Sequence, residues 1–333
     1  NTRIITPPTG DNTPVEPVRR KILLIALVLG FLIPMVVIYI REKANTTVRG
    51  RKDLKKVNVP FLGEIPFSIS RKNRPTLEQR IKFWKKPKEV RMIVVKAGKR
   101  DIVNEAFRVL RTNFEFTIGT HPEQNVIVFT SFNPGSGKSH IAANMAMSLA
   151  IKKKKVLLID GDLRHGSTSM LIHSPGEGLS DYLNGRIADI HDILYKGEEN
   201  GLVKGFDVIP IGTIPPNPTE LLFTPLLEQM IKTMREEYDY VFIDCPPIEV
   251  VADTPIYEQF ADRTIFVVRA GLMERSMLPE VNALYKEKKF KNMTLILNGT
   301  KAQGGRYGSH YGYGYGYGYG YNYNKEKNGG AKS

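Results

Sequence analysis

The residues from Thr130 to Ser139 read TSFNPGSGKS, directly after the apolar run VIVFT and before a helical pattern running from about His140 to Ala150. Small and turn-forming residues at Asn133, Pro134, Gly135, Ser136 and Gly137 let backbone N–H groups turn inward around phosphate oxygens. The helix that opens near His140 adds a favourable dipole. Lys138 is placed to reach β- and γ-phosphates, and the Ser139 hydroxyl to bind Mg²⁺. The pattern G-x-x-x-x-G-K-[ST] is met except at its first glycine, where Phe132 stands.

Two other apolar runs end in carboxylates. VLLID ends at Asp160, with Asp162 and Arg164 at alternate positions beyond it, and YVFID ends at Asp244. Carboxylates at the C-terminal ends of parallel strands face the crevice where open α/β sheets bind ligands, and hard oxygen donors there suit Mg²⁺. A single strand-end Asp is usually a turn or capping residue. Three beside a P-loop lysine point to a nucleotide–metal site. Cys245 reads as a buried structural thiol, and no histidine shows metal-ligand spacing. Asn298, ending the run TLILN, is a candidate for contact with the adenine.

These runs need elements to position them. From Asn125 onward, VIVFT, VLLID, FDVIPI, YVFID, TIFVVRA and TLILN alternate with helical patterns. Short buried strands alternating with helices predict an α/β fold, a P-loop NTPase-like parallel sheet with helices on both faces. Before it, Ile22 to Ile40 is an uncharged apolar run spanning about 28 Å as a helix, the thickness of a bilayer core. More basic residues follow this run than precede it, which places its C-terminal side in the cytoplasm. Much of the +14 net charge lies between Arg41 and Arg100, where anionic lipid headgroups explain it. No aromatic-interleaved basic motif accompanies that charge, so nucleic acid is not expected as a partner. One cysteine excludes an internal disulfide framework.

The expected organisation is an extracytoplasmic Pro-rich segment (1–21), a transmembrane helix (22–40), a basic juxtamembrane linker (41–100), a nucleotide domain (101–303) and a Gly/Tyr-rich tail (304–333) expected to be disordered. An initial Asn1 suggests a fragment of a longer chain.

Together, SFNPGSGKS, LLIDGDLR and FIDCPP resemble the bacterial tyrosine kinases of polysaccharide co-polymerase proteins, as does IPIGTIPPNPTELL at 209–222. The resemblance covers roughly residues 14 to 324. It implies Mg-ATP as cofactor, Lys138, Asp160, Asp162 and Asp244 as catalytic residues, and Ser139, Asp162 and Asp244 as holders of Mg²⁺. Asp160 would be either the base for a tyrosine hydroxyl or a neighbour of the metal. VPFLGEIP, residues 59–66, resembles the family's membrane-to-kinase linker. Partitioning and septum-positioning ATPases share the fold but carry an extra lysine where this chain has Asn133, which favours the kinase reading.

The helix expected over Asp101–Ile118 carries Glu105, Arg108 and Arg111, matching the family's E-x-x-R-x-x-R. By spacing alone this reads first as a solvated charged face; the resemblance implies a contact between subunits of a ring-like homo-oligomer. In the tail, Tyr307, Tyr311, Tyr313, Tyr315, Tyr317, Tyr319, Tyr321 and Tyr323 alternate mostly with glycine. Alone, such a run is a self-associating low-complexity segment. Attached to this domain it reads as a phosphoacceptor tail entering a neighbour's active site. The implied setting is the bacterial inner membrane, with polysaccharide polymerase and export machinery and a phosphotyrosine phosphatase as partners. Two other functions remain in play: a surface-cycling ATPase, and a non-catalytic scaffold for polysaccharide chain length.

Overall fold

The computed structural model describes residues 19–67, 92–119, 121, 123–250 and 253–301. Residues 1–18 of the Pro-rich segment, the stretch 68–91 and the tyrosine tail lie outside them.

Helix α1 (Arg19–Lys43) contains the whole apolar run with Pro34 inside it. It is long and apolar enough to cross a membrane, and none of its apolar window is buried by the rest of the molecule. A helix this apolar on every side needs a nonpolar surrounding.

The remaining described residues build one seven-stranded sheet in the order β1-β7-β6-β2-β5-β3-β4. The strands are β1 (Phe61–Pro66), β2 (Val126–Thr130), β3 (Val156–Asp160), β4 (Phe206–Ile209), β5 (Tyr240–Asp244), β6 (Arg263–Arg269) and β7 (Thr294–Thr300). Every pairing is parallel. Six of these are the expected runs. The seventh, β1, falls in the stretch read as a linker. Its short FLGEIP pattern, closed by Pro66, gives little strand signal by itself, and only pairing with β7 makes it one.

Alternate residues of β2 enter different cores. Ile127 and Phe129 pack with α2 (Ile102–Ile118) and α3 (Lys138–Ala150), while Val126 and Val128 pack with α6 (Pro225–Glu237) on the other face. This two-sided burial is why the strands read as unbroken apolar runs. Shorter helices α4 (Leu179–Leu183), α5 (Pro218–Leu221) and α7 (Thr254–Glu258) and the terminal α8 (Leu278–Lys286) complete the layers. With all strands parallel, every loop that follows a strand emerges at one edge. β2, β5 and β3 are neighbours, so the P-loop, Asp244 and Asp160 lie side by side along it.

Candidate active site: the crest of β2, β5 and β3

The P-loop is pinned by its own residues. Gly135 and Gly137 take left-handed backbone, and Gly137 caps α3, so Lys138 is that helix's first residue. The Ser131 and Ser136 hydroxyls both donate to the Asn133 carbonyl, at 2.9 and 2.7 Å. The Asn133 amide donates to Glu249 on the loop after β5, at 3.0 Å. Phe132, standing where the pattern has glycine, is buried against the Phe266 ring with centroids 5.3 Å apart. The position therefore serves as a hydrophobic anchor under the loop.

Asn298 approaches the same loop from β7. Its amide donates to the Ser136 carbonyl at 2.9 Å. The amide nitrogen thereby braces the P-loop. Its neighbour in register, Arg269, lies close by, with Nη1 3.7 Å from where a Cβ on Gly137 would stand. Arg269 is a second cation near the loop that no motif marked.

Asp160 and Asp244 are register partners on β3 and β5, and both are buried. Asp160 Oδ2 accepts from the Ser169 N–H and hydroxyl, each at 2.7 Å. Asp244 Oδ2 accepts from the Thr168 hydroxyl at 2.6 Å. Two consecutive residues of the loop after β3 thus orient the two carboxylates. The sequence reading missed both, since Ser and Thr in a loop carry no motif. Burial, then the neighbouring Asp244 charge, pushes Asp160 up to about 7 against the Ser169 hydrogen bonds. Burial likewise raises Asp244, opposed by the Lys138 charge and the Ser139 and Thr168 hydroxyls. Asp162, less buried, accepts from the Arg164 N–H at 3.3 Å and lies 3.2 Å from the His165 ring nitrogen.

The far oxygens, Asp160 Oδ1 and Asp244 Oδ1, are buried with no hydrogen-bond partner. Leaving two such acceptors unpaired is costly unless something else completes them. Together with Asp162, whose charge acts on both carboxylates, and the Ser139 hydroxyl near Asp244, these oxygens make a hard-oxygen donor set that fits a divalent cation. The positive-φ glycines and the N-terminus of α3 fit the phosphates of a nucleotide. Cys245 is buried, as expected, and burial pushes its thiol well up.

A family model described as an AAA domain matches residues 124–272, the stretch from the start of β2 through the loop after β6. The chain is 30% identical over 301 residues to a Klebsiella pneumoniae protein named putative tyrosine-protein kinase in cps region, covering 90% of this chain and 40% of that protein. It is 34% identical over 208 residues to the tyrosine-protein kinase CpsD of Streptococcus agalactiae, covering 62% of this chain and 87% of that protein. The chain belongs to the bacterial tyrosine-protein kinase family. Among solved structures, the kinase domain of the Escherichia coli tyrosine kinase ETK aligns with a TM-score of 0.64 and 29% identity, over 82% of this chain and all of that one. The chain spans about 40% of the length of the Klebsiella relative, and 36–37% of several others.

In this family member, the charged helix is more divided than its spacing suggested. The Arg111 side chain is 11% exposed, and its guanidinium donates to the Ser148 carbonyl at 2.8 Å and hydroxyl at 3.1 Å at the end of α3. It caps its own neighbouring helix. Glu105 and Arg108 pair with each other and remain 47% and 36% exposed; Arg108 also donates to the Lys99 carbonyl at 2.9 Å. The eight tail tyrosines lie outside the described residues.

Proposed function

We propose that this protein is an Mg-ATP-dependent protein-tyrosine kinase whose substrate is the tyrosine cluster of its own C-terminal tail, delivered by a neighbouring copy. The observation that carries this reading is the Asp160–Asp244 pair, each with one free buried oxygen, beside a P-loop closed by Lys138. Phosphoryl transfer depends mainly on positioning and on neutralising phosphate oxygens. Lys138, the α3 N-terminus and the loop N–H groups hold the phosphates. Ser139, Asp162 and Asp244 would hold Mg²⁺, which supplies charge neutralisation on the transferring group. Asp160, held by Ser169, stands either as acceptor of the tyrosine hydroxyl proton or as the cation's neighbour. The names of the relatives, tyrosine-protein kinases, support the same chemistry.

In this reading α1 spans the bacterial inner membrane, with the nucleotide domain in the cytoplasm and the basic residues after α1 against anionic lipid. Glu105 and Arg108 would contribute to a ring-like homo-oligomer. Successive phosphates on the tail, each adding about −1.5 to −2 charges, would repel one another and loosen that ring. The cycle would regulate polysaccharide polymerase and export machinery, with a phosphotyrosine phosphatase resetting it.

The test is phosphotyrosine detection after incubating the purified chain with Mg-ATP, beside a form truncated after Gly305. Signal only in the full chain supports the proposal. Phosphate release from ATP with no phosphotyrosine in either form overturns it in favour of a surface-cycling ATPase.

A further inference from the structure

Strand β6 ends at Arg269 on the edge that carries the site, and it flanks β2 on the side away from the carboxylates. Two glycines let its side chain reach the P-loop. The stem crosses Gly299, with Cγ 3.8 Å and Nε 3.9 Å from where a Cβ there would stand. The tip reaches Gly137, with Nη1 3.7 Å from the corresponding point. Both glycines take left-handed backbone, at φ of +77° and +90°, and neither has a side chain to deflect the arginine.

The backbone that carries Arg269 is fixed from two directions. The Ala270 N–H donates to the Asn298 carbonyl at 2.8 Å, and the Leu272 and Met273 N–H groups donate to the Arg269 carbonyl, each at 3.2 Å. The segment after α1 ties the same turn. Gly271 N–H donates to the Val48 carbonyl at 2.7 Å, and Val48 N–H donates to the Met273 carbonyl at 2.8 Å.

Among the described residues, this half-buried guanidinium has no hydrogen bond and no ion pair. Its surroundings are electropositive. Lys138 opens α3 one residue beyond Gly137. Burial holds the His140 imidazole below its ordinary value, and the Arg269 charge adds to that. An arginine keeps its charge at any ordinary pH, so holding it beside a lysine and a helix N-terminus is costly until an anion completes it. The strand order says which part of a nucleotide that is. Asp160 and Asp244 lie on β3 and β5, on one side of β2, and Arg269 lies on the other. A nucleotide with its cation and terminal phosphate toward the carboxylates carries its ribose-proximal phosphate toward β6.

Resting on the nucleotide reading above, we propose that Arg269 is a phosphate-binding residue, its guanidinium taking oxygens of the α-phosphate from the flank opposite the carboxylates. The planar fork of donors suits two oxygens of one phosphate.

The test is calorimetric titration of the full chain in detergent with Mg-ADP and, separately, with Mg-tripolyphosphate, which offers three phosphates without sugar or base. Arg269→Gln is expected to weaken both about tenfold. Arg269→Lys, which keeps the charge but loses the fork, falls between. A loss for ADP alone puts Arg269 on the ribose or base and overturns the phosphate contact. A loss for tripolyphosphate alone puts it on the terminal phosphate and overturns the α-phosphate assignment. Unchanged binding of both overturns the proposal while leaving the nucleotide reading intact. A parent chain that binds neither overturns the nucleotide reading and the role of Arg269 with it. If Arg269→Gln melts below the parent without ligand, Arg269→Lys decides by the same two titrations.

Discussion

Thr168 and Ser169, adjacent in sequence, hold Asp244 and Asp160, whose positions are 84 residues apart (244 − 160) and side by side in the sheet. Each carboxylate gives one oxygen to this clamp and keeps the other free. The arrangement divides a buried acidic pair: one oxygen of each is tied by the clamp, and the other is buried without a partner.

Lys138→Met is expected to abolish tail phosphorylation, by at least about a hundredfold, through loss of a charge aimed at the transferring phosphates. Lys138 begins α3 and Met is a good helix former, so the thermal transition should stay within a few degrees. Phosphotyrosine blots with parallel thermal melts check this; equal phosphorylation in variant and parent removes Lys138 from the mechanism.

Thr168→Val deletes the hydroxyl that orients Asp244 while nearly preserving volume. Nucleotide binding titrated against Mg²⁺ should require about tenfold more cation, because a freed carboxylate must be ordered on binding. Ser169→Ala acts on Asp160 and also removes the acceptor of the Ile211 N–H, 2.9 Å away. It should therefore cost stability of about 1–3 kcal/mol as well, read by denaturant unfolding.

Gly137→Ala should disable the P-loop. A Cβ there would stand 2.2 Å from the Asn298 amide nitrogen, at a φ of +90°. Adding Asn298→Ala removes the clash but not the backbone strain, about 1–3 kcal/mol for a non-glycine residue. Nucleotide affinity should recover only in part; full recovery would show that the strain is negligible.

Arg111→Ala and Arg108→Ala should separate. The first removes the cap on α3 and lowers the melting temperature, at a cost of about 1–3 kcal/mol. The second, together with Glu105→Ala, should leave the melt nearly unchanged and reduce oligomer mass by light scattering. A double variant of unchanged mass removes this face from assembly.

Asp101 caps α2, accepting from the Asn104 N–H at 2.9 Å. Burial acts to raise its pKa, but the Asn104 bonds and the Lys99 ammonium together hold it down at about 2 from 3.8. Its folded pKa lies below the unfolded one, so its contribution is present above about pH 4 and lost as pH falls towards 2. In paired unfolding curves, the stability gap between parent and Asp101→Ala should narrow across that window. A gap that stays constant from pH 5 to pH 2 refutes the assignment.

Much of this site was legible because its chemistry is local. A strand of unbroken apolar residues, a loop of small residues and a lysine opening a helix are all set by neighbours in sequence. The strand-end carboxylates are equally local, each being the first charge after an unbroken apolar run. The same locality made α1 readable. Family resemblance added roles that residue types alone leave open.

Only the tertiary structure decided how these parts are held. Asn298 and Ser136 are 162 residues apart, and Thr168 and Asp244 are 76 apart; nothing near either residue in sequence announces its partner. Arg111 looks like Arg108 in a helix repeat, yet packing α2 against α3 buries one and leaves the other partly exposed. β1 becomes a strand only because β7 offers an open edge. Sequence patterns report burial and local geometry, whereas the hydrogen-bond partner of a buried polar group is set by which distant element the fold brings within about 3 Å.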